Sequence, residues 1–90
     1  MADPSPAGSH PPPRLPLVVP DCGTAALSVS LWLVPAGATV RGGDRVVELL
    51  AGGATIDLDA PADGRLVTHL VDEDDRVTPG QTIAEIEVEP

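Results

Sequence analysis

A displacement of 37 residues lays one half of this chain on the other. Leu33-Val34 falls on Leu70-Val71, Val40 on Val77, Gly43 on Gly80, Val46 on Ile83, Glu48 on Glu85 and Leu49 on Ile86. The shared pattern is Leu-Val, five residues, then Val-x-x-Gly-x-x-(Val/Ile)-x-Glu-(Leu/Ile). It reads as a strand that ends, a turn, a valine that plugs a core, a glycine free to take positive φ, and a second strand. Neither copy is long enough to bury its own apolar face. Two similar halves must therefore share one core about a pseudo-two-fold axis.

The 90 residues allow one small domain and exclude a two-domain enzyme. From Leu15 onward, short β-branched and aliphatic runs are separated by Gly, Pro and Asp, and no stretch sustains a 3.6-residue period. Strands are expected near Leu17–Val19, Ala26–Val34, Val46–Leu50, Ala54–Asp59, Gly64–Val71 and Thr82–Val88. The class is all-β. Trp32 is the only aromatic residue, so the core must be aliphatic; Trp32 itself sits on a strand with Leu31 and Leu33 and reads as a core residue rather than a ligand-stacking one. Residues 1–14, with five prolines, cannot bury enough surface to offset ordering and read as a disordered Pro-rich tail. The domain proper is expected over 15–90.

Gly52-Gly53 is the strongest hairpin signal. A two-residue loop with both φ values positive suits the strand twist, and glycine meets it without a Cβ clash. Ala51 then lies opposite Ala54, Leu49 opposite Ile56 and Val47 opposite Leu58. Every apolar side chain of the two strands except Val46 and Leu50 falls on one face. The same register sets Glu48 across from Asp57, a like-charge pair that Arg45 or Arg65 could relieve.

Fourteen acidic residues oppose five basic ones, a net charge of −9, which disfavours nucleic acid and anionic membrane surfaces as partners. All five basic residues are arginines (Arg14, Arg41, Arg45, Arg65, Arg76), and the chain contains no lysine. Cys22 has no disulfide partner, and His10 and His69 make no metal-ligand spacing. The start lacks a basic, apolar secretory pattern and no run approaches a membrane span, so a cytoplasmic protein is the expectation. The run Asp72-Glu73-Asp74-Asp75 lacks the alternation and glycine of a calcium loop, and reads as a turn whose charge could dock a basic partner. No Ser/His/Asp set is suggested by the sequence, and the repeat itself accounts for the recurrence of Glu48 as Glu85. No catalytic or metal residues are assigned.

The segment from Trp32-Leu33-Val34 through Gly37, Val40-x-x-Gly43-Asp44, Val46-x-Glu48, Ala54-Thr55-Ile56-Asp57-Leu58, Ala60-Pro61, Gly64 and Val77-x-x-Gly80-x-x-Ile83 resembles the lipoyl and biotinyl carrier domains. The likeness is nearest to the lipoyl domains of 2-oxo acid dehydrogenase acyltransferases and covers about residues 15–89. It implies a flattened barrel, or barrel-sandwich hybrid, of two four-stranded antiparallel sheets with quasi-two-fold symmetry. It also implies a lysine at the tip of the central hairpin, amidated by lipoate or biotin. Alignment on Ala54-Thr55-Ile56-Asp57 puts Gly53 at the lysine position, flanked by Gly52 and Ala54. Asp74 stands where the family has its second turn glycine.

The resemblance therefore implies the carrier fold without the carrier's chemistry. The expected function is a non-catalytic lipoyl-like domain that binds or scaffolds a protein partner, with no attached cofactor. A true carrier subunit of acyl or carboxyl transfer would need an acceptor that the sequence does not contain. An adaptor-type barrel-sandwich module would be expected to hold a helical hairpin between the halves, which is missing here.

Overall fold

The computed structural model describes residues 12–89, and the Pro-rich segment expected over 1–14 lies largely outside them. Seven strands follow in order: β1 (Arg14–Val18), β2 (Leu27–Trp32), β3 (Thr39–Val40), β4 (Arg45–Ala51), β5 (Ala54–Asp59), β6 (Gly64–His69) and β7 (Thr82–Val88). β1 starts three residues before the expected Leu17, because Arg14, Leu15 and Pro16 pair with Glu87, Ile86 and Glu85. All pairings are antiparallel, in one sheet of order β1-β7-β6-β3 and a second of order β2-β4-β5.

The repeat is a structural symmetry. Moving β2 and β4 by 37 residues gives the bounds of β6 and β7. Hydrogen bonds follow the same displacement: Gly37 N–H donates to Leu66 O and Asp74 N–H to Val29 O, while Leu33 N–H reaches Val46 O and Leu70 N–H reaches Ile83 O. β1 and β5 correspond as well, with Leu17 opposite Ala84 and Leu58 opposite Val47. Their displacement is 41 residues, because the β1–β2 connection has eight residues (19–26) and the β5–β6 connection four (60–63).

Four strands in each sheet are expected from the resemblance; the second sheet has three. The place equivalent to β3 holds a single bridge, Ser28 to Arg76. The two segments differ in chemistry. Thr39-Val40 is β-branched and pairs with Arg65 and Gly64. Its counterpart follows an acidic turn in which the Asp75 carboxylate accepts the Asp72 N–H at 2.8 Å, so local side-chain bonding competes with the ladder.

The core is aliphatic, as composition requires. Leu49, Leu66, Ile83, Ile86, Val19, Val29, Val40, Val46, Val47 and Val77 are its largest fully buried side chains. Each contributes about 1.5–3 kcal/mol relative to exposure. The two repeat valines, Val40 and Val77, are the expected plugs, and Gly43 and Gly80 just beyond them take φ of 92° and 86°. Strict alternation puts Val46 off the core face, yet it is fully buried beside Val47. A register shift between Arg45 and Val47 is the reason, since a bulge lets two successive residues face inward. Trp32, expected inside the core, is only half-buried and packs at its edge.

Candidate functional site at the central hairpin

The β4–β5 register is the expected one: Ala51 pairs with Ala54, Leu50 with Thr55, Leu49 with Ile56, Glu48 with Asp57 and Val47 with Leu58. Gly52 and Gly53 form the tip, and Gly52, Gly53 and Ala54 are exposed. The turn differs from expectation. Only Gly52 has positive φ, at 65°, which is the pattern of a type II′ turn rather than the doubly positive type I′.

The tip leans on the β1–β2 connection. Gly52 N–H donates to Ala26 O at 2.9 Å, and Thr24 Oγ1 accepts the Ala26 N–H at 3.1 Å. A Cβ at Gly52 would lie 3.9 Å from the Thr24 side chain, an ordinary contact, whereas one at Gly53 would project into open space. Position 53 is thus the place on this hairpin where a side chain could stand free of strain and of neighbours.

Below the tip, the charges are arranged in pairs. Arg45 Nη1 is 3.5 Å from Asp57 Oδ2, and the Ser30 hydroxyl donates to Glu48 Oε1 at 3.0 Å, which relieves the Glu48–Asp57 repulsion. Arg65 takes no part in this and pairs with Glu87 at 3.4 Å. Glu85, the repeat partner of Glu48, lies in the other sheet and pairs with Arg14 at 3.3 Å. The two glutamates therefore do not form a carboxylate pair.

Of the acidic run, all four residues are exposed, but two carboxylates hold backbone. Glu73 Oε2 accepts the Trp32 N–H at 2.9 Å and Asp75 Oδ2 accepts that of Asp72. The side chains of Asp72 and Asp74 make no hydrogen bond or ion pair among the described residues. No group of three metal-ligating side chains forms among the described residues. Cys22 is half-buried, its thiol 3.4 Å from Pro20 O.

Two features are not evident from the sequence. Trp32 and His69 stack, and Arg76 stands at a cleft beside the tip. The 37-residue displacement relates Trp32 to His69, but the two are chemically unlike, so similarity between the halves does not single them out.

These features can be set beside known proteins. Residues 16–86 match the family model of the biotin/lipoyl attachment domain, described as "Biotin-requiring enzyme". The chain belongs to that family. Its fold is also that of the solution structure of the lipoyl domain of the 2-oxoglutarate dehydrogenase complex from Azotobacter vinelandii, with a TM-score of 0.68 at 20% identity, over 80% of this chain and 94% of that one. No curated protein sequence matches. Among the described residues no helix is long and apolar enough to cross a membrane.

Proposed function

We propose that this member of the biotin/lipoyl family carries no attached prosthetic arm and works as a protein-binding or scaffold module in a 2-oxo acid dehydrogenase or carboxylase system of the cytoplasm. The observation that carries the reading is the hairpin tip. Gly53 and its neighbour Gly52 present no side chain where the family resemblance puts the acceptor, and the chain holds no lysine that a slip of register could bring there. Amide attachment of lipoate or biotin needs an amine nucleophile. The residues present do not fit such a group.

Domains of this family are carriers and are not themselves catalytic. Without the arm, what is left is a small, acidic domain. A net charge of −9 and the free carboxylates of Asp72 and Asp74 favour a basic protein partner, because complementary charge steers association. The dehydrogenase connection is supported by the shared fold with a 2-oxoglutarate dehydrogenase lipoyl domain.

Intact mass after co-expression with a lipoate ligase, and separately with a biotin ligase, tests the reading. An unchanged mass is expected for the natural chain. A gain of one lipoyl or biotinyl unit would overturn it. The double variant Gly52→Asp with Gly53→Lys is expected to gain one unit, and its failure to do so while folded would reject position 53 as the acceptor position.

A further inference from the structure

The fold builds two shallow clefts, and the 37-residue displacement carries one onto the other. The first, about 170 Å³, lies beside the hairpin tip and is lined by Leu27, Ser28, Leu50, Gly52 and Arg76. The second is lined at the equivalent positions by Gly64, Arg65, Glu87, Glu89 and Thr39. One backbone arrangement thus appears twice with different side chains, which provides an internal control.

The side chains make the clefts chemically opposite. In the second, Arg65 Nη2 lies 3.4 Å from Glu87 Oε1, so its cation is already neutralised. In the first, leucine replaces that glutamate: Leu50 is 42% exposed, and no acidic residue lines the walls. Arg14, Arg41, Arg45 and Arg65 each form an ion pair, whereas Arg76 forms none among the described residues. A free guanidinium beside an exposed leucine is the exception on a surface with a net charge of −9.

We propose that this cleft binds a short aliphatic carboxylate. The guanidinium of Arg76 offers forked donors that suit a carboxylate, and Leu50 offers apolar surface for the tail. The Ser28 hydroxyl is a further donor on the same wall. The volume is well below the roughly 300 Å³ at which sites for drug-sized ligands begin, which suits a ligand of a few carbons. The inference does not depend on whether the hairpin tip is ever modified.

Titration of the ¹⁵N-labelled chain with hexanoate, followed through backbone amide shifts, tests it. Acetate supplies the head alone and hexanamide the tail without the charge. Hexanoate is expected to move the amides of residues 25–28, 50–52 and 76, to leave 64, 65 and 87–89 in place, and to bind more tightly than either control. Arg76→Gln is expected to weaken hexanoate about tenfold, the effect of losing about 1.4 kcal/mol of charge-assisted bonding, and to leave hexanamide unchanged. Leu50→Glu, which copies the second cleft, is expected to abolish binding; both variants are checked for a dispersed, folded spectrum. Equal shifts at both clefts, hexanamide binding as well as hexanoate, no shifts with hexanoate, or no effect of either variant would each overturn the proposal.

Discussion

Trp32 and His69 stack face to face, ring centroids 3.8 Å apart and planes 7° from parallel, although they come from different sheets. Each is the repeat partner of the other. The indole Nε1–H donates to Val71 O at 3.1 Å, and His69 Nε2 donates to Val34 O at 2.9 Å. Val34 and Val71 are themselves related by the 37-residue displacement. A carbonyl only accepts, so its position assigns the proton on His69 to Nε2. Each half thus reaches across the pseudo-two-fold relation to the backbone of the other, and the stack seals a region where an all-aliphatic core ends.

The stack should therefore couple the halves energetically. In a double-mutant cycle with Trp32→Ala and His69→Ala, the coupling is expected at about 0.5–1.5 kcal/mol, the range for aromatic pairs beyond burial. Urea unfolding followed by far-ultraviolet circular dichroism gives all four stabilities. Single losses that add without coupling would mean that the rings touch without stabilising one another.

The symmetry of the fold was legible because Val40, Val77, Gly43 and Gly80 do the same work in each half, so selection for packing and turn geometry left alike residues at alike places. The β4–β5 register was legible for a similar reason: alternation along Val47, Leu49 and Ala51 has one solution once the tip is fixed. What escaped was what alternation does not encode. A two-residue strand such as β3 has no period, and the bulge that turns Val46 inward breaks the rule used to place it. Trp32 against His69 and the free state of Arg76 depend on which distant groups arrive beside them, and neither follows from local pattern.

Asp74 is the one non-glycine among the described residues with positive φ, 73°, and its repeat partner is Gly37 at 92°. Both donate their N–H across the same kind of turn, to Val29 O and to Leu66 O. Left-handed backbone costs an L-residue about 1–2 kcal/mol, and aspartate bears it better than most. Asp74→Gly is expected to be neutral or to stabilise by a few tenths of a kcal/mol, and Asp74→Val to destabilise by about 1–2 kcal/mol. Urea midpoints at equal m-value decide it; equal stability of the Gly and Val variants would contradict the left-handed turn.

Gly64 begins β6 and is buried where β6 crosses β7. A Cβ there would overlap the Glu87 carbonyl and crowd the Ile86 side chain at 3.2 Å. The obstacle is backbone, which cannot swing aside as a long side chain does. Gly64→Ala is expected to cost about 2–4 kcal/mol, a large loss for a domain of this size. Thermal unfolding would show it as a clear fall in Tm. A change within about 0.5 kcal/mol would mean that β7 shifts freely at Glu87.

The two tip glycines, adjacent and both exposed, should respond in opposite senses. Gly52 takes φ of 65° and donates its N–H to Ala26 O, so an L-residue there works against a backbone that the β1–β2 connection already holds. Gly53 has no positive φ, and a Cβ on it would have no neighbouring atom within 4 Å. Gly52→Ala is expected to destabilise by about 1 kcal/mol. Gly53→Ala is expected to stabilise by about 0.4–1 kcal/mol, because it narrows the unfolded ensemble without straining the fold. The same reasoning makes Gly53→Lys harmless to stability, so in the double variant used for the mass measurement any loss comes from Gly52→Asp, and the single Gly53→Lys chain serves as its unstrained control. Equal losses from both alanine variants in urea would instead assign positive φ to both residues, as in the type I′ turn, and would make the lysine variant a strained acceptor.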